Sequence, residues 1–173
     1  MYIYTIIYMD TKLQEIYDEM KYKEHRPTTD IDLLKAVNTN IIQHKNLQKY
    51  NNIEQILKNN ACIIFYDHTS GNIGHWCCLT RRNNLIEFFD SYGRNIDYPK
   101  YIHGRKPYLK DLLKNSNYIV TYNPYNFQKG GVSTCGRHVV TRILFKHYPL
   151  ERYKKMMDNI NSDELVSFLT LPI

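Results

Sequence analysis

The stretch from Gln128 to His138 holds a candidate nucleophile, Cys135. A polar, glycine-rich loop leads directly into residues 139–144, whose apolar spacing predicts a helix packed on a core. Cys135 therefore lies at or near a helix N-terminus, where unpaired backbone N–H groups and the helix dipole favour the thiolate. A single cysteine at a helix start is also compatible with a small buried apolar residue, so the stretch alone leaves both interpretations open.

A cysteine nucleophile needs a base, a group that orients the base, and donors for the oxyanion of the attacked carbonyl. His75 enters a predicted strand, and Asp90 ends the next strand across a short turn, so the carboxylate is expected to reach the imidazole. Gln128 precedes Cys135 on the same loop, and its side-chain amide with the Cys135 backbone N–H could form an oxyanion hole. Each residue alone has a commoner role: a partly buried histidine, a turn or cap aspartate, a surface glutamine.

The elements that must position these residues follow from the apolar pattern. Continuous apolar runs predict buried strands over 61–66, 76–80 and 84–90, and the polar turn 81–84 predicts a hairpin. A further strand is expected near 118–122, and residues 1–8 are expected to form a short strand or an arm. Helices are predicted over 12–20, 31–37, 52–58, 108–114, after Cys135, and over 153–169, with a connection at 21–29 and a loop at 67–74. This order predicts an α+β domain with a central, mostly antiparallel sheet.

Length, charge and cysteine use limit the function classes. The 173 residues predict one domain spanning 1–173, and a net charge of +6 is compatible with a polyanion partner or with a merely basic surface. The four cysteines lack the Cys-x-x-Cys spacing of a zinc site, so no metal is expected and the thiols are predicted to be reduced and intracellular. The first residues lack the features of a signal peptide or membrane span, so neither secretion nor a membrane partner is expected.

An ordered pattern joins the candidates: Gly-His-Trp, then Phe-Phe-Asp-Ser-Tyr-Gly, then Gln-x6-Cys-Gly. Over roughly residues 61–145 it resembles the adenovirus maturation protease (adenain) and the related ubiquitin-like-protein-specific cysteine proteases. The resemblance implies that His75 is the general base and later acid, Asp90 its orienting partner, Gln128 an oxyanion donor and Cys135 the nucleophile. It also implies a central sheet flanked by helices, with a cleft between the cysteine helix and the sheet.

The chain is small and basic, and its amino-acid composition is typical of an A/T-rich genome. Within the resemblance, these features indicate a maturation protease of a virophage or a large DNA virus. Such enzymes cleave capsid precursors, which implies a protein substrate and a place in the virion and the host-cell interior. No small-molecule cofactor is expected for the chemistry. DNA or a peptide is a candidate activator, as in adenain.

Two other functions remain open at this point. The chain could remove a ubiquitin-like modifier from proteins, or it could be a nucleic-acid-binding or scaffold protein with a catalytically retired protease fold. His138, three residues after Cys135, is a competing base. It lacks an obvious carboxylate partner in the sequence, and a structural hydrogen bond is the favoured role for it.

Overall fold

The computed structural model describes residues 2–67, 74–158 and 160–172, with side chains from residue 11 onward. The described helices are α1 (Tyr2–His25), α2 (Asp30–Ala36), α3 (Pro99–Ile102), α4 (Tyr108–Lys114), α5 (Cys135–Leu144), α6 (Leu150–Asp158) and α7 (Ser162–Leu169). The described strands are β1 (Asn40–Gln43), β2 (Ala61–Asp67), β3 (Gly74–Arg82), β4 (Leu85–Phe89) and β5 (Ile119–Tyr122). Two 3-10 turns, His44–Lys49 and Ile53–Gln55, lie between β1 and β2.

The five described strands form one sheet in the order β1-β2-β3-β4-β5. The central pairs β2–β3 and β3–β4 are antiparallel, as the predicted hairpin requires, whereas the outer pairs β1–β2 and β4–β5 are parallel. The predicted α+β class is therefore confirmed, and the antiparallel part is confined to the centre. In the register, Tyr66 lies opposite His75, and Cys78 lies opposite Phe89.

Alternation along the strands gives the sheet two apolar faces, and each is covered. One face packs against the 3-10 turns and α4, through residues such as Leu47, Ile64 and Leu112. The other face packs against α2, α5, α6 and α7. A buried ion pair fixes α5 to this second face, because the Arg142 guanidinium donates to both carboxylate oxygens of Glu87, at 2.7 and 2.9 Å. The sheet thus holds α5, and with it Cys135, in a fixed position.

The structure corrects the prediction for the N-terminus. Residues 1–8 were expected to form a strand or an arm and 21–29 a connection, but α1 runs from Tyr2 to His25. The segment contains no glycine or proline that would end a helix, so the helical pattern recognised over 12–20 extends in both directions. Near its C-terminal end α1 contacts α7, where Lys21 Nζ lies 2.5 Å from Glu164 Oε1.

Two further predictions needed correction, and one strand was missed. The helix expected over 52–58 is only a 3-10 turn at Ile53–Gln55, because the paired Asn52–Gln55 capping box closes a single turn. The predicted helix over 153–169 is two helices, α6 and α7. Strand β1 was not predicted, since its two apolar residues are flanked by polar ones and a parallel pairing with β2 creates it. Most of the loop predicted over 67–74 lies outside the described residues.

Candidate active site

His75 and Asp90 meet at one end of the central hairpin. His75 is the second residue of β3, and Asp90 directly follows β4. His75 Nε2 lies 2.8 Å from Asp90 Oδ1, and the same oxygen accepts a hydrogen bond from the Tyr92 backbone N–H at 2.8 Å. Asp90 is fully buried and His75 is 9% exposed. Because the carboxylate engages Nε2, the other ring nitrogen, Nδ1, remains for another partner.

Cys135 lies close to the same ring. It is the first residue of α5 and is partly buried, and its thiol interacts electrostatically with the His75 imidazole. Burial alone would raise the pKa of the Cys135 thiol, but the interaction with His75 outweighs it, and the backbone N–H groups of Trp76 and Gly136 add to the effect. The pKa of Cys135 is therefore lowered, which favours the nucleophilic thiolate at neutral pH.

The pKa of His75 is shifted in the opposite direction. Burial works against the charged imidazolium, but the interactions with Asp90 and Cys135 raise the pKa of His75 well above its ordinary value. Two tyrosine rings also flank the imidazole, with centroids 5.2 Å away for Tyr92 and 4.8 Å for Tyr101. A lowered cysteine pKa beside a raised histidine pKa favours a thiolate–imidazolium pair.

Gln128 lies on the loop before α5 and is 3% exposed. Its side-chain Nε2 donates to the Val132 carbonyl oxygen at 2.9 Å, and its Oε1 accepts from the Ser91 hydroxyl at 2.7 Å. The Ser91 carbonyl oxygen in turn accepts backbone N–H groups of Phe127 and Gln128, at 2.8 and 3.0 Å. The amide orientation is thereby fixed, and the second N–H of Nε2 is left for another acceptor.

Trp76 and Thr28 form a hydrogen-bonded pair next to Cys135 and Gly136. The Trp76 indole N–H donates to the Thr28 carbonyl oxygen at 3.1 Å. A Cβ on Gly136 would lie 2.7 Å from the Thr28 side chain, so only glycine fits directly after Cys135. Gly74 is constrained similarly, since a Cβ there would meet the Phe65 ring at 2.4 Å. Glycines therefore allow close packing beside both reactive residues.

His138 does have a carboxylate partner, which corrects the sequence-based reason for setting it aside. His138 Nε2 lies 3.0 Å from Asp163 Oδ1, and both side chains are buried. Asp163 on α7 also accepts hydrogen bonds from the Thr134 hydroxyl and, at 2.9 Å, from the Lys129 backbone N–H. The favoured structural role of His138 is thus observed, since it belongs to an anchor that holds the loop before Cys135.

Sequence reasoning missed Ser91 and Asp163 as supporting residues. Ser91 was visible as the neighbour of Asp90, but its bond to Gln128 depends on how the loop folds back. Asp163 lies 28 residues beyond Cys135 on a helix with no local motif, so the sequence offers no signal for it.

An open groove of about 1410 Å³ runs past the predicted site. His75, Gln128 and Cys135 line the groove, and Asp90 lies beneath His75. Beyond the site the groove follows β1 and the 3-10 turn after it.

The sequence has a virophage relative. Protein V9 of Sputnik virophage is 37% identical over 174 residues, an alignment that covers 88% of this chain and 99% of V9. The chain belongs to the V9 family. The predicted relationship to virophages is thereby confirmed. No protein-family model matches the sequence.

Two solved structures share part of the architecture seen in this V9-family chain. The ASFV pS273R protease matches with a TM-score of 0.49 at 16% identity, covering 83% of this chain and 66% of that protein. The C-terminal Ulp1 protease domain, solved in complex with Smt3, the yeast ortholog of SUMO, matches with a TM-score of 0.37 at 16% identity, covering 82% and 72%. Both are proteases. Residue roles in the V9-family chain depend on the geometry above.

Among the described residues, no helix has both the length and the apolar character that crossing a membrane would require.

Proposed function

We propose that the chain is a cysteine endopeptidase that cleaves a viral precursor protein. The observation that carries the proposal is that Asp90 Oδ1 lies 2.8 Å from His75 Nε2 while the Cys135 thiol interacts with the same imidazole. Nucleophile, base and orienting carboxylate are arranged in the order that acyl transfer needs.

Each residue then has a specific task. The Cys135 thiolate attacks the scissile carbonyl, while His75 holds the proton as imidazolium and Asp90 stabilises that charge. The oxyanion forms within reach of the remaining Gln128 Nε2 hydrogen and the Cys135 backbone N–H at the helix N-terminus. His75 next protonates the leaving amine, and the acyl-enzyme is hydrolysed by a water that His75 deprotonates.

The proposed substrate is a capsid precursor processed during virion maturation. Membership of a virophage family supports a viral role, and the open groove beside Cys135 supports an extended protein segment as substrate. No small-molecule cofactor is needed for this chemistry, because all proton transfers are assigned to His75.

The direct test uses purified wild-type protein, Cys135→Ala and His75→Ala with a virophage capsid precursor. We expect cleavage at defined junctions by the wild type only. Equal cleavage by the Cys135→Ala protein would refute the proposal. A ubiquitin-like modifier with a C-terminal aldehyde serves as a second probe, since efficient labelling of Cys135 without precursor cleavage would indicate a deconjugating protease.

A further inference from the structure

One buried side chain beside the site has no part in the proposed chemistry, the thiol of Cys77. It is fully buried, and burial raises its pKa to about 12, so it is a neutral thiol in the absence of a partner. Cys77 lies two residues after His75 on β3 and therefore shares its face of the sheet.

Sheet register brings Cys77 to Asp90 as well. The last paired residues of the two strands are Cys78 and Phe89. Cys77 precedes Cys78 on β3, and Asp90 directly follows Phe89 at the end of β4. Cys77 and Asp90 are therefore opposite each other, and His75, two residues before Cys77, is the diagonal neighbour of Asp90. The Cys77 sulfur, a His75 ring nitrogen and an Asp90 carboxylate oxygen all lie within 4.8 Å of one another.

We propose that His75, Cys77 and Asp90 form a Zn²⁺ site that can hold the protein in an inactive state. Thiolate, imidazole and carboxylate are the three ligand types that zinc uses in proteins, with bonds of about 2.0–2.3 Å. In a tetrahedron of that size the ligand atoms are about 3.3–3.8 Å apart, so side-chain movements on the order of 1 Å close the site.

Asp90 supplies an independent indication. Its Oδ2 atom is buried and has no hydrogen-bond partner among the described residues. The nearby Tyr101 hydroxyl, whose pKa is raised chiefly by burial, does not meet it with hydrogen-bond geometry. A buried carboxylate oxygen without a donor is costly, and a cation is one partner that satisfies it.

Binding has a simple proton balance. As the S–Zn bond forms, Cys77 releases its thiol proton to solvent. The His75 imidazolium releases the proton on its coordinating nitrogen, also to solvent, and keeps the N–H on its other nitrogen. The ion takes the place of the hydrogen bond between His75 and Asp90. The base and its orienting carboxylate are then both occupied, so proteolysis stops until the ion leaves through the groove that His75 lines.

Metal binding itself is independent of the proposed function, whereas the inhibition rests on it. The test therefore starts with the Cys135→Ala protein, which removes the nucleophile as a competing thiolate. Zn²⁺ binding is measured by calorimetry, and Co²⁺ is used as a spectroscopic probe. We expect uptake of one ion, with the near-ultraviolet charge-transfer band of a thiolate–cobalt bond and the visible bands of a tetrahedral site.

Adding Cys77→Ser should abolish the charge-transfer band and weaken Zn²⁺ binding at least about tenfold. Cys78→Ser is the matched control, because Cys78 is equally buried but lies on the opposite face of the sheet. It should leave both signals unchanged. Circular dichroism and thermal unfolding establish that each variant is folded.

No ion uptake by the folded Cys135→Ala protein in large molar excess of Zn²⁺ would overturn the proposal. So would a cobalt band that survives Cys77→Ser. In the wild-type protein, Zn²⁺ should inhibit precursor cleavage reversibly, with activity restored by a chelator. If the protein binds zinc through Cys77 but cleaves nothing with or without a chelator, the metal site stands and the peptidase proposal fails.

Discussion

At the residue scale, the ionisation of Cys135 and His75 belongs to a coupled pair. The lowered pKa of Cys135 and the raised pKa of His75 leave a pH interval in which thiolate and imidazolium coexist. Asp90 widens this interval, because its hydrogen bond to Nε2 favours the charged ring.

We expect a bell-shaped pH profile for kcat/KM. Turnover should fall as pH decreases through the lowered pKa of Cys135, because the thiolate is protonated. It should fall again as pH increases through the raised pKa of His75, because the general acid is lost. Iodoacetamide alkylation, corrected with Cys135→Ala for the other thiols, should lose rate only on the acid side. An alkylation midpoint at the ordinary thiol pKa, about 8.5, would contradict the ion pair.

Ser91 is expected to act on turnover through Gln128. Its hydroxyl donates to Gln128 Oε1 at 2.7 Å, and removing it leaves a buried acceptor unpaired and the amide free to reorient. Ser91→Ala should lower kcat about tenfold or more with little change in KM, less than the roughly 100-fold loss when an oxyanion donor is removed outright.

Ser116→Ala is the control, since that hydroxyl only caps α4 through the Leu113 carbonyl oxygen. If Ser91→Ala and Ser116→Ala have the same kcat as the wild type, Ser91 does not position the oxyanion donor. Ser91→Thr, which retains the hydroxyl, should recover part of the lost kcat if it folds without clash.

At the element scale, α5 and the loop before it are held from three directions. The sheet binds the helix through Glu87 and Arg142, and α7 binds the preceding loop through Asp163. The third support is α1, since the Glu24 carbonyl oxygen accepts the Ser133 backbone N–H at 2.8 Å. Elements from both ends of the chain thus position one thiol, which explains why a candidate site in the middle of the sequence depends on α1 and α7.

Gly136→Ala tests how closely that helix start is packed. The added Cβ would lie 2.7 Å from the Thr28 side chain. The backbone carbonyl oxygen of Thr28 accepts the hydrogen bond of the Trp76 indole N–H. Such overpacking should lower the free energy of unfolding by about 1–3 kcal/mol and reduce kcat/KM. Urea unfolding and precursor cleavage measure the two effects.

Gly130→Ala is the matched control on the same loop. A Cβ at Gly130 meets nothing within 4 Å, and its backbone is not left-handed, so stability and turnover should stay near the wild-type values. Equal losses in the two variants would show that the loop, and not the contact with Thr28, is sensitive to alanine.

At the scale of the whole molecule, the net charge of +6 predicts attraction to nucleic acid. This charge supports DNA as an activator that increases turnover of a precursor concentrated on the same polymer.

We expect DNA affinity to decrease steeply with salt, because phosphate contacts by lysine and arginine release counterions. Fluorescence anisotropy with a short labelled duplex at several salt concentrations measures this dependence. Precursor cleavage at low salt should be faster with DNA than without it. Unchanged turnover, despite binding, would exclude DNA as an activator and leave only surface attraction.

The sequence by itself determined the chemical types and their order. Gly-His-Trp, the aspartate after an apolar run and the Gln-x6-Cys-Gly loop are local patterns, so the sequence was sufficient to name His75, Asp90, Gln128 and Cys135 as candidates. The central hairpin and α4 could also be predicted from the sequence. A polar turn indicates the hairpin, and short-range apolar periodicity indicates α4. The roles of the four residues remain proposals that the variants above test.

The tertiary structure alone decided which distant groups share a surface. Cys77 joins His75 and Asp90 only because the register of β3 against β4 places it opposite the carboxylate. Asp163 reaches the loop before Cys135 only because α7 packs against α5. Such contacts depend on long-range pairing and packing, which no local pattern encodes. The sequence therefore determined which groups could react, and the packed fold determined what surrounds each of them.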